Sequence, residues 1–211
     1  MMRHEARQVP SWLIFDVRQP KRRYGLQIQG KMTIGVSIFI TCLAAVFCII
    51  AVHECGHVLA GTAGGIPRSA MKIRLIAFPQ HVALKGEGRW LHPQRDYDSY
   101  VAASMAFLKD RVRASLYVSG GLLTQTIAFV CLVFGLAAAG LTRDWIVPVV
   151  CALVSVPCIY LLLDLMFTRF AGKPCGDFSF LWEISPIASV AVTSFVIAVH
   201  VGILVYFLKN A

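Results

Sequence analysis

The sequence has few charged residues, and among these the acidic ones are the scarcest. Only 15% of the residues are charged, and Asp and Glu together number 11 against 20 Lys and Arg. Soluble domains average about 25% charged residues, so this composition excludes an ordinary soluble domain. Outside the apolar runs, no stretch is long enough to form a sizeable soluble domain of its own.

The chain also lacks paired cysteines and internal repeats. None of its 7 Cys forms a C-x-x-C pair, and most lie inside apolar runs. Cysteine in such surroundings behaves as a small hydrophobic residue, so we do not expect a disulfide framework. A transporter is an alternative for an apolar chain, but transporters are often built from repeated halves, and no repeat is present here.

Long apolar runs are what the sequence does contain. Hydrophobic residues make up 57% of the chain, and the mean hydropathy is +0.68. Four segments reach the ~20 apolar residues that a transmembrane helix needs, and they are approximately residues 33–60, 114–141, 145–167 and 186–208. The sequence therefore predicts an all-α polytopic membrane protein with about four transmembrane helices. A basic N-terminal arm, residues 1–31, precedes them.

A short β-hairpin is predicted at the membrane surface between the first two spans. Residues 71–78 begin with alternating apolar and basic side chains, Pro79 and Gln80 are typical of a turn, and residues 81–85 predict a return strand. The free edge of such a hairpin could bind an extended peptide by strand addition. The polar stretch that follows, residues 86–113, predicts a loop with a helix starting near Tyr100.

The net charge of +9 indicates which partners to expect. Lysines and arginines divide almost equally between the two sides of the predicted topology, so the positive-inside rule assigns no orientation. Anionic head groups of membrane lipids are the expected partners of this charge. We expect no nucleic acid partner, because no recognisable binding module accompanies the basic residues.

The first span carries an H-E-x-x-H motif, from His53 to His57. On a helix, positions i and i+4 share one face, so both imidazoles can bind a single Zn²⁺ ion. Glu54 can then act as the general base that takes a proton from an attacking water. A polar cluster that merely holds helices together is the alternative. However, Ser, Thr or Asn would serve that purpose at lower cost than a carboxylate at bilayer depth.

A catalytic zinc ion usually has three protein ligands, so a third must come from elsewhere in the chain. With four spans, the end of the third span lies on the same side of the membrane as His57. Asp164 and Asp177 both lie there. We favour Asp177 because glycines and a proline interrupt the preceding backbone and can bend a carboxylate into the site. Asp164, in an apolar helical stretch, and Glu183 are the alternatives.

These features resemble the site-2 proteases, a family of intramembrane zinc metalloproteases, over most of residues 33–182. That family places H-E-x-x-H at the end of a span, as this sequence does. Its G-P-x-x-N element is similar to residues 121–125, where Leu122 replaces Pro and Gln125 replaces Asn. Its D-G element, which supplies the third ligand, is similar to Asp177 and the residue after it, although that residue is Phe.

The resemblance implies that residues 32–211 form a zinc metalloendopeptidase. It also implies that Gln125 holds the extended backbone of the substrate, as the family's Asn is thought to do. The substrate would be a transmembrane segment of another membrane protein. A regulatory membrane partner is expected as well, because no soluble regulatory domain is visible in the sequence. A catalytically inactive, protease-like protein that binds membrane partners is the alternative.

Overall fold

The structure is a computed structural model that describes the backbone of residues 19–210 and the side chains of residues 32–210. The chain divides into two compact units between Phe39 and Ile40, and the contacts discussed below all lie within the second unit. The described elements, in chain order, are α1 (Gln19–Gly64), β1 (Met71–Arg74), β2 (His81–Gly86), β3 (Arg89–Leu91), α2 (Tyr97–Leu108), α3 (Arg111–Ala138), α4 (Arg143–Ala171), α5 (Asp177–Ile184) and α6 (Pro186–Asn210).

Four of the described helices are long and apolar enough to cross a membrane. They are the part of α1 from Met32 to Gly64, and the helices α3, α4 and α6. Large apolar side chains such as Phe47 and Leu162 are more than half exposed on these helices, as lipid-facing residues are in the absence of lipid. The predicted all-α polytopic fold is therefore confirmed, and the chain is a multi-pass integral membrane protein.

Glycines in the left-handed region explain where two of the spans end. Helix α4 continues past the predicted end at residue 167 and stops where Gly172 adopts a φ of 66°. Helix α1 continues past Ala60 to Gly64, and Gly65 then has a φ of 112°. In the predicted arm, residues 1–18 lie outside the described residues, and α1 begins at Gln19.

The predicted hairpin is present, and a third strand extends it. Strands β1 and β2 pair antiparallel with Met71 opposite Leu84, and β2 pairs with β3 with Leu84 opposite Leu91. Within the predicted loop of residues 86–113, the helix expected near Tyr100 is present as α2, but the strand β3 was not predicted. Their buried residues, including Leu91 and Leu108, pack in one core with the sheet and the start of α3.

Helices α1 and α3 pack so closely beside the H-E-x-x-H motif that their backbones nearly touch. A Cβ added to Gly56 would collide with the carbonyl oxygen of Gly120 and would lie 2.7 Å from Thr124 Oγ1. A Cβ on Gly120 would in turn lie 2.5 Å from the Cβ of Ala60. Small residues at such crossings let two helices pack closely within a membrane. This contact places one face of α3 directly against the two histidines.

Candidate metal centre

The two histidines of the motif lie on one face of α1, as the i, i+4 spacing predicts. His53 and His57 are only 7% and 8% exposed, and their Nε2 atoms are 3.1 Å apart. Both rings therefore direct the same type of nitrogen toward a common point. Both histidines belong to the part of α1 that is long and apolar enough to span a membrane.

Asp177, the first residue of α5, brings a carboxylate to the same point. Its Oδ2 lies 2.8 Å from His53 Nε2 and 3.2 Å from His57 Nε2. Within residues 32–210, these three side chains are the group of His, Cys, Asp or Glu residues whose ligand atoms converge, all within 4.8 Å of one another.

Helix α3 fixes both histidine rings from behind. The carbonyl oxygen of Tyr117 lies 3.0 Å from His57 Nδ1, and Oε1 of Gln125 lies 2.9 Å from His53 Nδ1. Both oxygens are acceptors, so each ring donates its Nδ1–H and keeps the lone pair on Nε2. Two imidazole lone pairs and a carboxylate oxygen thus meet at one point. This is the arrangement that binds a divalent cation.

The space between these atoms fits a zinc ion. Two ligand atoms bound to one tetrahedral zinc ion at 2.0–2.1 Å lie roughly 3.3 Å apart. The three distances here are 2.8, 3.1 and 3.2 Å, so a small outward movement would admit the ion. Gly121 of α3 leaves the room for it, because a Cβ there would lie 2.5 Å from His57 Nε2 and 2.8 Å from His53 Nε2.

Glu54, the residue after His53, lies beside this cluster with one buried carboxylate oxygen, Oε2, that lacks a partner. The side chain is 3% exposed, and among the described residues nothing hydrogen-bonds its Oε2. A buried polar atom without a partner is costly, so it is rarely retained without a function. Glu54 and both histidines line one cavity of about 340 Å³, so the Glu54 side chain lies beside a space that can hold water.

Asp164, the alternative third ligand, lies outside the cluster and is occupied elsewhere. Its Oδ2 accepts a hydrogen bond of 2.9 Å from the Ser179 N–H, and its Oδ1 accepts bonds from the hydroxyls of Ser179 and Thr168 at 2.5 and 3.0 Å. Ser179 is in the first turn of α5, two residues after Asp177. Asp164 therefore holds the start of the helix that carries Asp177.

Four other polar side chains do not belong to the group of three converging ligand atoms. Glu183 is exposed near the end of α5, where it accepts a hydrogen bond from the hydroxyl of Tyr97. The rings of His81 and His92 are in tilted contact with centroids 4.1 Å apart, and His81 lies at the cavity wall. Gln125, expected to hold substrate, is instead bonded to His53.

Two hydrogen bonds link the elements on either side of the cavity. The hydroxyl of Tyr160, on α4, donates to Oε1 of Gln80 at 3.3 Å, and Gln80 belongs to the loop between β1 and β2. The side chain of Gln94 donates to the carbonyl oxygen of Cys175 at 2.5 Å, just before α5. Most of the cavity wall is apolar, with Ile50, Val118, Leu122, Leu163 and Phe178 among its residues.

Several groups that shape this site were not predicted from the sequence. They are the carbonyl of Tyr117, the bare backbone at Gly121, and the hydroxyls of Ser179 and Thr168. Tyr117, Gly121 and Gln125 do share one signal in the sequence, because a spacing of four residues places them on one helix face. The partners of that face come from α1, however, and no local pattern identifies them.

Comparisons of this chain with protein-family models, with curated proteins and with solved structures find no match.

Proposed function

We propose that this chain is an intramembrane zinc metalloprotease, similar to the site-2 proteases, that hydrolyses peptide bonds in or near transmembrane segments of membrane proteins. One observation carries the proposal. Three ligand atoms converge beside a buried glutamate that lines the same cavity as both histidines and has one oxygen without a hydrogen-bond partner. Polar clusters that only join helices satisfy their own hydrogen bonds, whereas this cluster leaves the Glu54 oxygen free.

His53, His57 and Asp177 would hold the metal. A zinc ion at this position supplies a Lewis acid that polarises the scissile carbonyl and lowers the pKa of a water molecule. The two histidines suit this role because Gln125 and the Tyr117 carbonyl keep their Nε2 lone pairs available. Three protein ligands leave a fourth position open, as catalytic zinc sites require.

Glu54 would move the protons of the reaction. Its carboxylate accepts a proton from the attacking water as the oxygen adds to the peptide carbonyl. It then gives this proton to the amide nitrogen, the C–N bond breaks, and an amine leaves while a carboxylic acid forms. The unpaired Oε2 supports this role, because no described protein group occupies the lone pairs that a base needs.

The substrate class follows from the position of the site within spanning helices. A peptide bond in an intact helix is shielded, so a transmembrane substrate must unwind locally to reach Glu54. The apolar cavity wall suits the side chains of such a segment. Strand β1 lies at an edge of the sheet, and the loop after it lines the cavity, so β1 offers main-chain groups to an extended substrate.

Two further partners belong to the proposal. Acyl chains of membrane lipids would cover the exposed apolar side chains of the spanning helices, and anionic head groups would meet the excess of basic residues. Regulation would come from another membrane protein.

The proposal is tested with purified protein in lipid vesicles and a reporter whose spanning segment contains glycine and proline. We expect mass spectrometry to place the cut within or next to that segment. Removal of zinc with a chelator should abolish the cut, and stoichiometric zinc should restore it. Cleavage that continues at full rate in metal-free protein would refute the proposal. Full zinc occupancy without cleavage of any such reporter would favour the inactive, partner-binding alternative.

A further inference from the structure

Gln125 has a position that its expected role in substrate binding does not explain. It lies on α3, its side chain is 4% exposed, and its Oε1 is 2.9 Å from His53 Nδ1. The acceptor atom that would receive a substrate N–H is thus already bonded to a metal-site histidine. The two residues are 72 positions apart in sequence, so only the α1–α3 contact brings them together.

Three successive turns of α3 each contribute to the metal centre in a different way. The carbonyl of Tyr117 holds His57, the missing side chain of Gly121 leaves room for both Nε2 atoms, and the amide of Gln125 holds His53. These residues are four positions apart, so they lie on one face of the helix. Over about two helical turns, this face of α3 thus contacts both histidine rings and leaves space for their Nε2 atoms.

The two histidines differ in what holds them. A backbone carbonyl holds His57, and no substitution can remove it. A side chain holds His53, so the tautomer and ring orientation of His53 depend on the residue at position 125. A neutral imidazole carries a single N–H, and an acceptor at Nδ1 keeps that proton away from Nε2. Outer groups of this kind typically change metal affinity by 10–100-fold when they are removed.

We propose that Gln125 is a positioning residue that fixes the tautomer and ring orientation of His53 for metal binding, and that it does not bind the substrate backbone. This inference rests on the metal site of the proposed function. It does not require that the chain cleave peptides, because it concerns the affinity of the site for its ion.

The test measures zinc affinity by competition with a fluorescent chelator, together with the visible absorption spectrum of the Co²⁺-substituted protein. No substrate is present in either measurement. Gln125→Leu removes the acceptor and should weaken zinc binding by about 10–100-fold and alter the Co²⁺ spectrum. Gln125→Glu keeps an acceptor at the same reach and should recover most of the lost affinity. Gln125→Asn, one methylene shorter, should resemble Gln125→Leu.

Thr126→Val is the matched control on the same helix. Thr126 is also buried, but its hydroxyl donates to the carbonyl of Leu122 and contacts neither histidine. This variant therefore loses a buried polar group of α3 without touching the metal centre, and its zinc affinity should equal that of the wild type. Circular dichroism checks that each variant is helical, and Gln125→Glu keeps the test valid if Gln125→Leu does not fold.

Two outcomes would overturn the inference. The first is wild-type zinc affinity and an unchanged Co²⁺ spectrum in Gln125→Leu. The second is a Gln125→Leu enzyme with normal kcat and a raised KM, which is the behaviour expected of a residue that binds substrate. Failure of the wild-type protein to bind zinc would instead refute the proposed function itself. Zinc affinities that follow the predicted order in a protein that cleaves no reporter would support the inference and refute the proposed proteolysis.

Discussion

Replacing Gly121 with alanine tests the metal centre with a single methyl group. The Cβ of Gly121→Ala would lie 2.5 Å from His57 Nε2 and 2.8 Å from His53 Nε2, whereas ordinary van der Waals contact begins at 3.4 Å. The imidazoles must therefore move by roughly 1 Å, or α3 must retreat from α1. A displacement of about 1 Å within a site can cost about 100-fold in activity.

We therefore expect Gly121→Ala to lower zinc affinity by at least about 100-fold, because both nitrogen ligands face the new methyl group. Gly135→Ala is the control, since it lies on the same helix and nothing is within 4 Å of its added Cβ. Because alanine favours helix over glycine by about 1 kcal/mol, this control should bind zinc normally and be no less stable. Zinc affinity is measured by chelator competition, and melting temperature is measured on the same samples.

Equal zinc affinities in Gly121→Ala and Gly135→Ala would contradict this prediction. A loss of zinc that only accompanies unfolding would contradict it as well, and a parallel fall in helix content would reveal this. A folded protein that has lost its zinc is the outcome that the geometry requires.

Three further predictions follow from the same contacts. Asp177→Asn should abolish most zinc binding, because it alters a carboxylate that faces both histidines. Asp164→Asn should chiefly lower the melting temperature, because it weakens a buried hydrogen bond to the start of α5 that is worth about 1–3 kcal/mol. Equal zinc loss in both variants would contradict this prediction. Removing zinc with a chelator should lower the melting temperature, since an ion at 1,000 times its Kd stabilises a fold by about 4 kcal/mol; an unchanged value would argue against a native metal. Burial lowers the pKa of His81 and of His92, and Arg95 lowers both further. The folded protein therefore favours neutral rings, and its melting temperature should fall as the pH drops below the ordinary histidine pKa of about 6.5, less so in His92→Gln.

The spans and the hairpin could be predicted because each has a local cause. An apolar run of sufficient length must be helical in a membrane, and Pro79 with Gln80 separates two short strands in sequence as in the structure. Strand β3 could not be predicted, because Arg89–Leu91 is too short to show a period. The start of helix α2 was predicted only approximately, near Tyr100 instead of Tyr97, because polar residues surround this end of the helix.

The candidate site was only partly visible in the sequence. The spacing of His53 and His57 defines a ligand pair on any helix, so this part needs no tertiary information. The choice between Asp177 and Asp164 does need it, because Asp164, near the end of the third span, and Asp177, after it, lie on the same side. What distinguishes their positions is a contact across two helices, in which Ser179 binds Asp164 and leaves Asp177 to face the histidines.

Cleavage by the Glu54→Gln variant is the most direct test of the central claim. This substitution keeps the size of the side chain and removes its basic oxygen, and Glu54 is not among the three converging ligands. Wild type and variant are loaded to equal zinc content, which is verified by metal analysis, and the rate of reporter cleavage is then compared. We predict that the variant cleaves at no more than about 1% of the wild-type rate, the loss typical of a missing general base. Cleavage by zinc-loaded Glu54→Gln at the wild-type rate would contradict the account.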